Sequence, residues 1–249
     1  MSALRARCPD CRTMTAVALG PDYQCHSCGR EFGAGLVRVP RAWGDGGEAM
    51  KEAASMELPW PEAATIEEDT LEEQVVTMGR VLPERPLVLG GCCCSHVGAV
   101  RELARRHGRV GVVWLDAHGD LNTPESSPSG NAWGMPLRMV IDSGDVRAED
   151  VTLLGARNLD PPEVAFIVES GVRQQLGELP ARVYVALDGD VIDSRDADVF
   201  MPEPDGIALD RLEVLLAGLP PVVGAGLTGF ARSERNEATL ARLGHALGL

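Results

Sequence analysis

The chain has 249 residues, 45% of them hydrophobic, enough for one sizeable core and a small appendage. A formal net charge of −14 argues against a nucleic-acid backbone as partner, and no apolar run is long enough to span a bilayer. Seven cysteines without a secretory leader point to a reducing cytoplasm, where thiols stay free or bind metal.

The first motif is CPDC, thirteen residues, then CHSC: Cys8 and Cys11, Cys25 and Cys28. Paired Cys-x-x-C knuckles at this spacing can complete a tetrahedral zinc site, and so short a segment needs the metal for stability. Residues 1–34 are therefore expected to form a small zinc ribbon with one structural Zn, and residues 35–249 a separate α/β domain. His26 lies within a knuckle as a bystander.

Leu36–Val39 suits a short strand and Gly44–Gly47 a turn. Glu48–Ala64 is rich in alanine and glutamate but broken by Pro59 and Pro61. Ile66, Leu71, Val75 and Met78 give Ile66–Arg80 helical spacing. Strands and helices then alternate. Strands are expected at Leu87–Leu89, Val110–Leu115, Val151–Gly155, Val183–Leu187 and Val222–Leu227, and helices at Val97–His107, Pro162–Ser170, Asp210–Gly218 and Glu234–Leu247. Such alternation, with strands apolar on both faces, implies a mostly parallel sheet covered on both sides. Thr123–Pro128 reads as a loop near the site, and Arg105, Arg106 and Arg109 as a cap on their own helix end.

Two strands end abruptly in acids. Val110–Leu115 runs into Asp116, His118 and Asp120, and Val183–Leu187 into Asp188, Asp190 and Asp193. In an open parallel sheet ligands bind beyond the carboxyl ends of the strands, so Gly90–Ser95, Asp116–Asn122 and Asp188–Asp193 form one constellation. Carboxylates crowded there repel unless cations sit between them, which makes a divalent, and preferably binuclear, metal centre the first reading. Asp193 equally suits a turn cap, Asp160 a helix N-cap before Pro161, and Asn131 a loop.

These residues resemble the signatures of the ureohydrolases, the arginase and agmatinase family. Asp116–Asn122 (DAHGDLN) resembles its DAHxD segment, Ser129–Gly134 (SGNAWG) its SGNxHG loop, and Leu187–Asp193 (LDGDVID) its DxDxxD segment. Gly155–Glu163 resembles the stretch carrying a substrate-contacting acid, Met201–Gly206 the TPEPGG turn, and Gly90-Gly91 the opening of GGDHS. The order fits over roughly residues 36–249; the cysteine-rich segment lies outside the family pattern.

The resemblance implies an arginase-like three-layer α/β/α fold and two divalent ions, Mn or a softer metal such as Zn, Co, Fe or Ni. A metal-activated hydroxide would attack a guanidino or amidino carbon. Carried over, Asp116 and Asp188 bridge the metals; Asp120 binds one and orients the hydroxide; His118 and Asp190 bind the other. Asn122 and Asn131 lie near the substrate's polar end, with Asp160 contacting an amino group. By resemblance, too, the chain is a homo-oligomer acting on a small molecule.

Three positions depart from the pattern. Cys93 stands where the family has a metal-binding His, and a thiolate favours metals softer than Mn. Trp133 replaces a proton-shuttling His and can instead wall the pocket or stack on a planar cation. Gly229 takes the place of the Glu that grips the guanidinium. The expectation is thus a divergent metallohydrolase cleaving a non-peptide C–N bond in an amidine-, guanidino- or amide-like molecule. The alternative is a catalytically inactive metal-binding or assembly protein with the ribbon as its contact module.

Overall fold

A strand with apolar residues on both faces is stable only between two covering layers. The computed structural model, which describes residues 5–6, 8, 10–11, 13, 15–19 and 22–249, has that arrangement. In chain order it runs β1 (Arg5–Ala6), β2 (Ala16–Leu19), β3 (Asp22–Cys25), β4 (Glu31–Val39), α1 (Glu48–Lys51), β5 (Glu62–Thr65) and α2 (Leu71–Val81). It continues β6 (Arg85–Gly90), α3 (Ser95–His107), β7 (Gly111–Leu115), α4 (Pro136–Asp142), β8 (Val151–Leu154) and α5 (Pro161–Ser170). The last elements are β9 (Val183–Asp188), α6 (Leu209–Ala217), β10 (Val222–Thr228) and α7 (Glu234–Ala246).

Among the described residues seven strands form a parallel sheet in the order β5-β4-β6-β10-β9-β7-β8. Successive residues of its central strands enter opposite cores. Leu87, Leu89, Val113, Leu115, Val185 and Leu187 pack with Leu212 of α6 and Leu240 of α7. Val88, Val112, Trp114 and Tyr184 pack on the other face with Met78 of α2, Leu103 of α3, Leu137 of α4 and Ile167 of α5. Each such side chain contributes about 1.5–3 kcal/mol on burial. The three-layer α/β/α expectation holds.

The cysteine-rich hairpins join this body through one strand. β3 pairs antiparallel with the start of β4 (Gln24 opposite Glu31), while the rest of β4 runs parallel to β6 (Leu36 opposite Leu87). β4 thus passes unbroken through positions 34 and 35 and is longer than Leu36–Val39.

Other details depart from the sequence reading. The expected helix from Ile66 starts at Leu71, because Thr70 caps it: Thr70 Oγ1 accepts the Glu73 N–H at 3.2 Å. Ile66 is buried ahead of the helix, after β5, a strand hidden in the Ala/Glu-rich stretch. Arg105 and Arg106 lie in the last turn of α3, as expected for its dipole, but their guanidinium groups and that of Arg109 bond elsewhere, Arg105 to Glu102 of the same helix. Arg106 donates to the Leu82 and Pro83 carbonyls after α2, and Arg109 to Asp150.

Candidate metal centre

The strands β6, β10, β9 and β7 are neighbours, so their carboxyl ends deliver four loops to one place. β6 leads to Cys93, β7 to Asp116, His118 and Asp120, β9 to Asp188 and Asp190, and β10 to Thr228 and Gly229. These residues, Thr228 excepted, line a cleft of about 260 Å³. The β7 and β9 acids that the sequence singled out converge there, except Asp193, which pairs with Arg195 at 2.6 Å.

Ligand-capable atoms fall into two overlapping groups, Cys93–Asp116–Asp120 and Asp116–His118–Asp190, each with its atoms within 4.8 Å of one another. Asp116 belongs to both. Asp188 lies alongside, its Oδ2 3.2 Å from Cys93 Sγ, while its Oδ1 accepts the Asp190 N–H at 3.0 Å. His118 Nδ1 is 2.8 Å from Asp190 Oδ2, and His118 Nε2 is 3.5 Å from Glu203 Oε1.

The electrostatics are those of a cluster awaiting positive charge. Burial, then repulsion from Asp190, pushes Asp188 up to about 7. Burial and Asp116 push Asp190 up to about 6. Burial also raises Asp116, and drives Asp120 and the Cys93 thiol well above their ordinary ranges, with neighbouring carboxylates adding to each. Burial opposes protonation of His118, but Asp116 and Asp190 outweigh it and raise the imidazole to about 11.

Divalent cations fit this donor set. Asp120 Oδ2 is buried with no hydrogen-bond partner among the described residues, and the residue is held at φ 52°, a conformation a non-glycine rarely adopts. A buried, unpaired carboxylate oxygen costs several kcal/mol unless a cation meets it. Three or four oxygens with one imidazole and one thiol suit transition metals, the thiol favouring the softer ones.

The cysteines of the N-terminal hairpins form a second group of four within 4.8 Å. Cys8 and Cys28 Sγ are 3.6 Å apart, Cys11 and Cys25 Sγ 3.5 Å. A tetrahedral Zn–thiolate site has sulfur edges of about 3.8 Å, so the four fit one zinc. The Thr15 hydroxyl is the main cause of a Cys25 thiol pKa lowered to about 5.

The expected substrate-side residues are placed less uniformly. Asn122 Nδ2 donates to Asp160 Oδ2 at 2.8 Å, and its Oδ1 accepts from Ser126 Oγ at 2.9 Å. Asn131 Oδ1 is turned to the Asp45 N–H at 2.9 Å. Asp160 caps α5, and Glu163 Oε2 accepts its N–H at 2.9 Å. Trp133 walls the cleft, its ring 6.1 Å from that of Phe200 in an edge-on contact. Gly229 sits at φ 72°, and a Cβ there would overlap the Asp188 carboxylate. His96 is buried on α3, with Nδ1 3.0 Å from Tyr184 Oη and Nε2 3.3 Å from Thr228 Oγ1.

Sequence reasoning assigned no role to Glu163, Glu203, Thr228, Met50 or Phe200. Glu163 holds the Leu121 N–H at 2.9 Å and so shapes the loop after Asp120. Its place three residues after a helix N-cap was a readable signal. Glu203 lies in the Met201–Gly206 turn that the resemblance marks; nothing local marks Thr228, Met50 or Phe200, which tertiary packing brings in.

The Arginase family model matches residues 55–178. The arginase of Staphylococcus aureus (strain COL) is 36% identical over 142 residues, 51% of this chain and 47% of that protein, so the chain spans about half the length of the curated relative it matches. Among solved structures, arginase from Bacillus subtilis superposes with a TM-score of 0.70 at 24% identity, covering 86% of this chain and 97% of that one. Formimidoylglutamase from Bacillus subtilis superposes with a TM-score of 0.68 at 17% identity, covering 86% and 85%. Residues 55–178 thus match the arginase, or ureohydrolase, family in sequence, and 86% of the chain shares the layered fold of arginase.

Proposed function

We propose that the chain is a metal-dependent hydrolase cleaving a non-peptide C–N bond in an amidine-, guanidino- or amide-like small molecule. The observation that carries this reading is the sharing of Asp116 between two groups of ligand atoms. Bound divalent cations would supply Lewis-acid activation of water near neutral pH and offset charge developing on the heteroatoms of the reacting group. Asp116 and Asp188 would hold both cations, Cys93 and Asp120 the first, His118 and Asp190 the second. The unpartnered Oδ2 of Asp120 is free to ligate or to accept a proton from the attacking water. Glu203, near His118 Nε2, fixes that imidazole so that its Nδ1 faces the Asp190 side of the site. In the ribbon, the thiols of Cys8, Cys11, Cys25 and Cys28 would hold a structural zinc, with residues 1–34 as an appended module.

The test is release of ammonia or urea by full-length protein loaded with Mn²⁺, Zn²⁺, Co²⁺ or Ni²⁺, across guanidino compounds, amidines and linear amides. Turnover that Asp120→Asn removes supports the reading. A protein that binds metal in the cleft but turns over none of these supports a second one: a catalytically silent binding or assembly protein. Trp133 and Gly229, standing where the family's proton carrier and guanidinium clamp are expected, favour that alternative.

A further inference from the structure

The four ribbon thiols have unequal surroundings. Thr13, Thr15 and Ser27 form a hydroxyl cluster beside two of them. Thr13 Oγ1 is 2.7 Å from Thr15 Oγ1, which is 2.8 Å from Ser27 Oγ. The cluster reaches two sulfurs: Thr13 Oγ1 is 3.1 Å from Cys11 Sγ, and Thr15 Oγ1 is 3.4 Å from Cys25 Sγ. A thiolate only accepts, so one consistent set of protons runs from Ser27 to Thr15, from Thr15 to Cys25 and from Thr13 to Cys11. The backbone N–H groups of Ser27 and Cys28 donate to Cys25 as well.

Cys8 and Cys28 make the other pair. Their Sγ atoms are 3.6 Å apart, and among the described residues no hydroxyl bonds to either. Cys28 is exposed and Cys8 buried. Cys8 also lines a cavity of about 360 Å³ with Glu84, Arg85 and Val222, at the N-terminal ends of β6 and β10, the far end of the sheet from the acid cluster. Arg30, two residues after Cys28, crosses that seam to Glu84 at 2.8 Å. When one zinc holds all four sulfurs as thiolates, access and intrinsic nucleophilicity rank them toward an oxidant. Nucleophilicity falls as hydrogen bonds draw off basicity.

We infer that Cys28 and Cys8 form a modification site for hydroperoxides. This rests on the zinc reading of the ribbon given above. The exposed Cys28 sulfur attacks the O–O bond of hydrogen peroxide and becomes a sulfenic acid, and the departing oxygen takes a proton and leaves as water. The Cys8 sulfur then attacks Cys28 Sγ, closing a Cys8–Cys28 disulfide and releasing a second water. The two thiolates together give up two electrons, the peroxide takes them, and two protons come from solvent. The ribbon is left with Cys11 and Cys25, two of the four donors a tetrahedral zinc needs, and so loses the ion.

Full-length protein should be treated with limiting hydrogen peroxide, with zinc counted by a chromogenic chelator before and during treatment and disulfides mapped by mass spectrometry. The expected result is a Cys8–Cys28 bond forming first, in step with zinc loss. Thr15→Val should speed zinc loss about threefold, the gain expected when a thiolate's basicity rises tenfold, and should let a Cys11–Cys25 bond appear. Thr15→Ser should keep the original pairing. The map of the unsubstituted protein decides the matter even if the valine variant misfolds. A Cys11–Cys25 bond forming first, an even mixture of pairings, no disulfide among these four thiols, or a folded Thr15→Val protein with unchanged rate and pairing would overturn the inference. A ribbon without zinc before peroxide would sink the zinc reading and this inference with it; zinc present and the wrong bond first would sink this inference alone.

Discussion

Cys93 Sγ and Asp188 Oδ2 face each other at 3.2 Å across the ends of β6 and β9. Two groups that both prefer to be anionic near a metal, and neither to be anionic without one, make the site's softness and its charge inseparable. Cys93→His should move metal preference toward Mn²⁺, by roughly tenfold or more in relative affinity of Mn²⁺ over Zn²⁺, because a thiolate favours the softer ion. Competition titrations against a chromogenic chelator measure it. Unchanged preference would remove Cys93 from the ligand set.

Without metal the acid cluster should make the protein less stable as pH rises. Asp188 and Asp190 are raised to about 7 and about 6, above the unfolded value near 3.9. Native protein then binds more protons than unfolded protein between about pH 4 and 7, so stability falls through that window. His118, raised to about 11, contributes fully below about 6.5 and loses its contribution only as pH climbs toward 11. The urea midpoint of chelator-treated protein should therefore drop between about pH 5 and 7.5, and added Zn²⁺ or Mn²⁺ should restore it. A midpoint that rises over this range would contradict the account.

Thr228 ties the buried His96 to the cluster. Its Oγ1 is 3.3 Å from His96 Nε2, 3.1 Å from Cys93 Sγ and 3.3 Å from Asp188 Oδ2. Thr228→Val, similar in shape, should cost about 1–3 kcal/mol in urea unfolding by leaving buried partners unmet. It should also weaken metal binding by about 10- to 100-fold, as losses behind a ligand do.

Gly229 should resist restoration of the family's glutamate. Its φ of 72° and the Asp188 carboxylate against the missing Cβ leave no room for a side chain. Gly229→Glu should lower cleft metal content and stability, with strain of about 1–3 kcal/mol, and should not create arginase activity. Arginine hydrolysis by the variant would show that the loop re-forms.

Much of this was legible in the sequence because burial on two faces leaves an unambiguous trace: Val112, Val113, Trp114 and Leu115 are all buried, and the acids follow at once. The Cys-x-x-C pairs announced their grouping by spacing, and the structure brings all four thiols together. What could not be read depends on contacts distant in sequence. β5 borrows its order from β4, since little in Glu62–Thr65 demands a strand. α4, Pro136–Asp142, was not anticipated, although Leu137 and Val140 prove to be core residues. The start of α2 was misplaced because Ile66 fits a helical period while Thr70, the better N-cap, fixes the boundary. Asn131 turns to Asp45, eighty-six positions away, which no local pattern signals.

The most direct test is elemental analysis of freshly purified full-length protein beside its Cys25→Ser variant. Three divalent ions per chain are predicted for the first and two for the second, one zinc belonging to the thiol group and two ions to the acid cluster. One ion in the full-length protein and none in the variant would mean that the strand-end acids hold no metal, which would contradict the account.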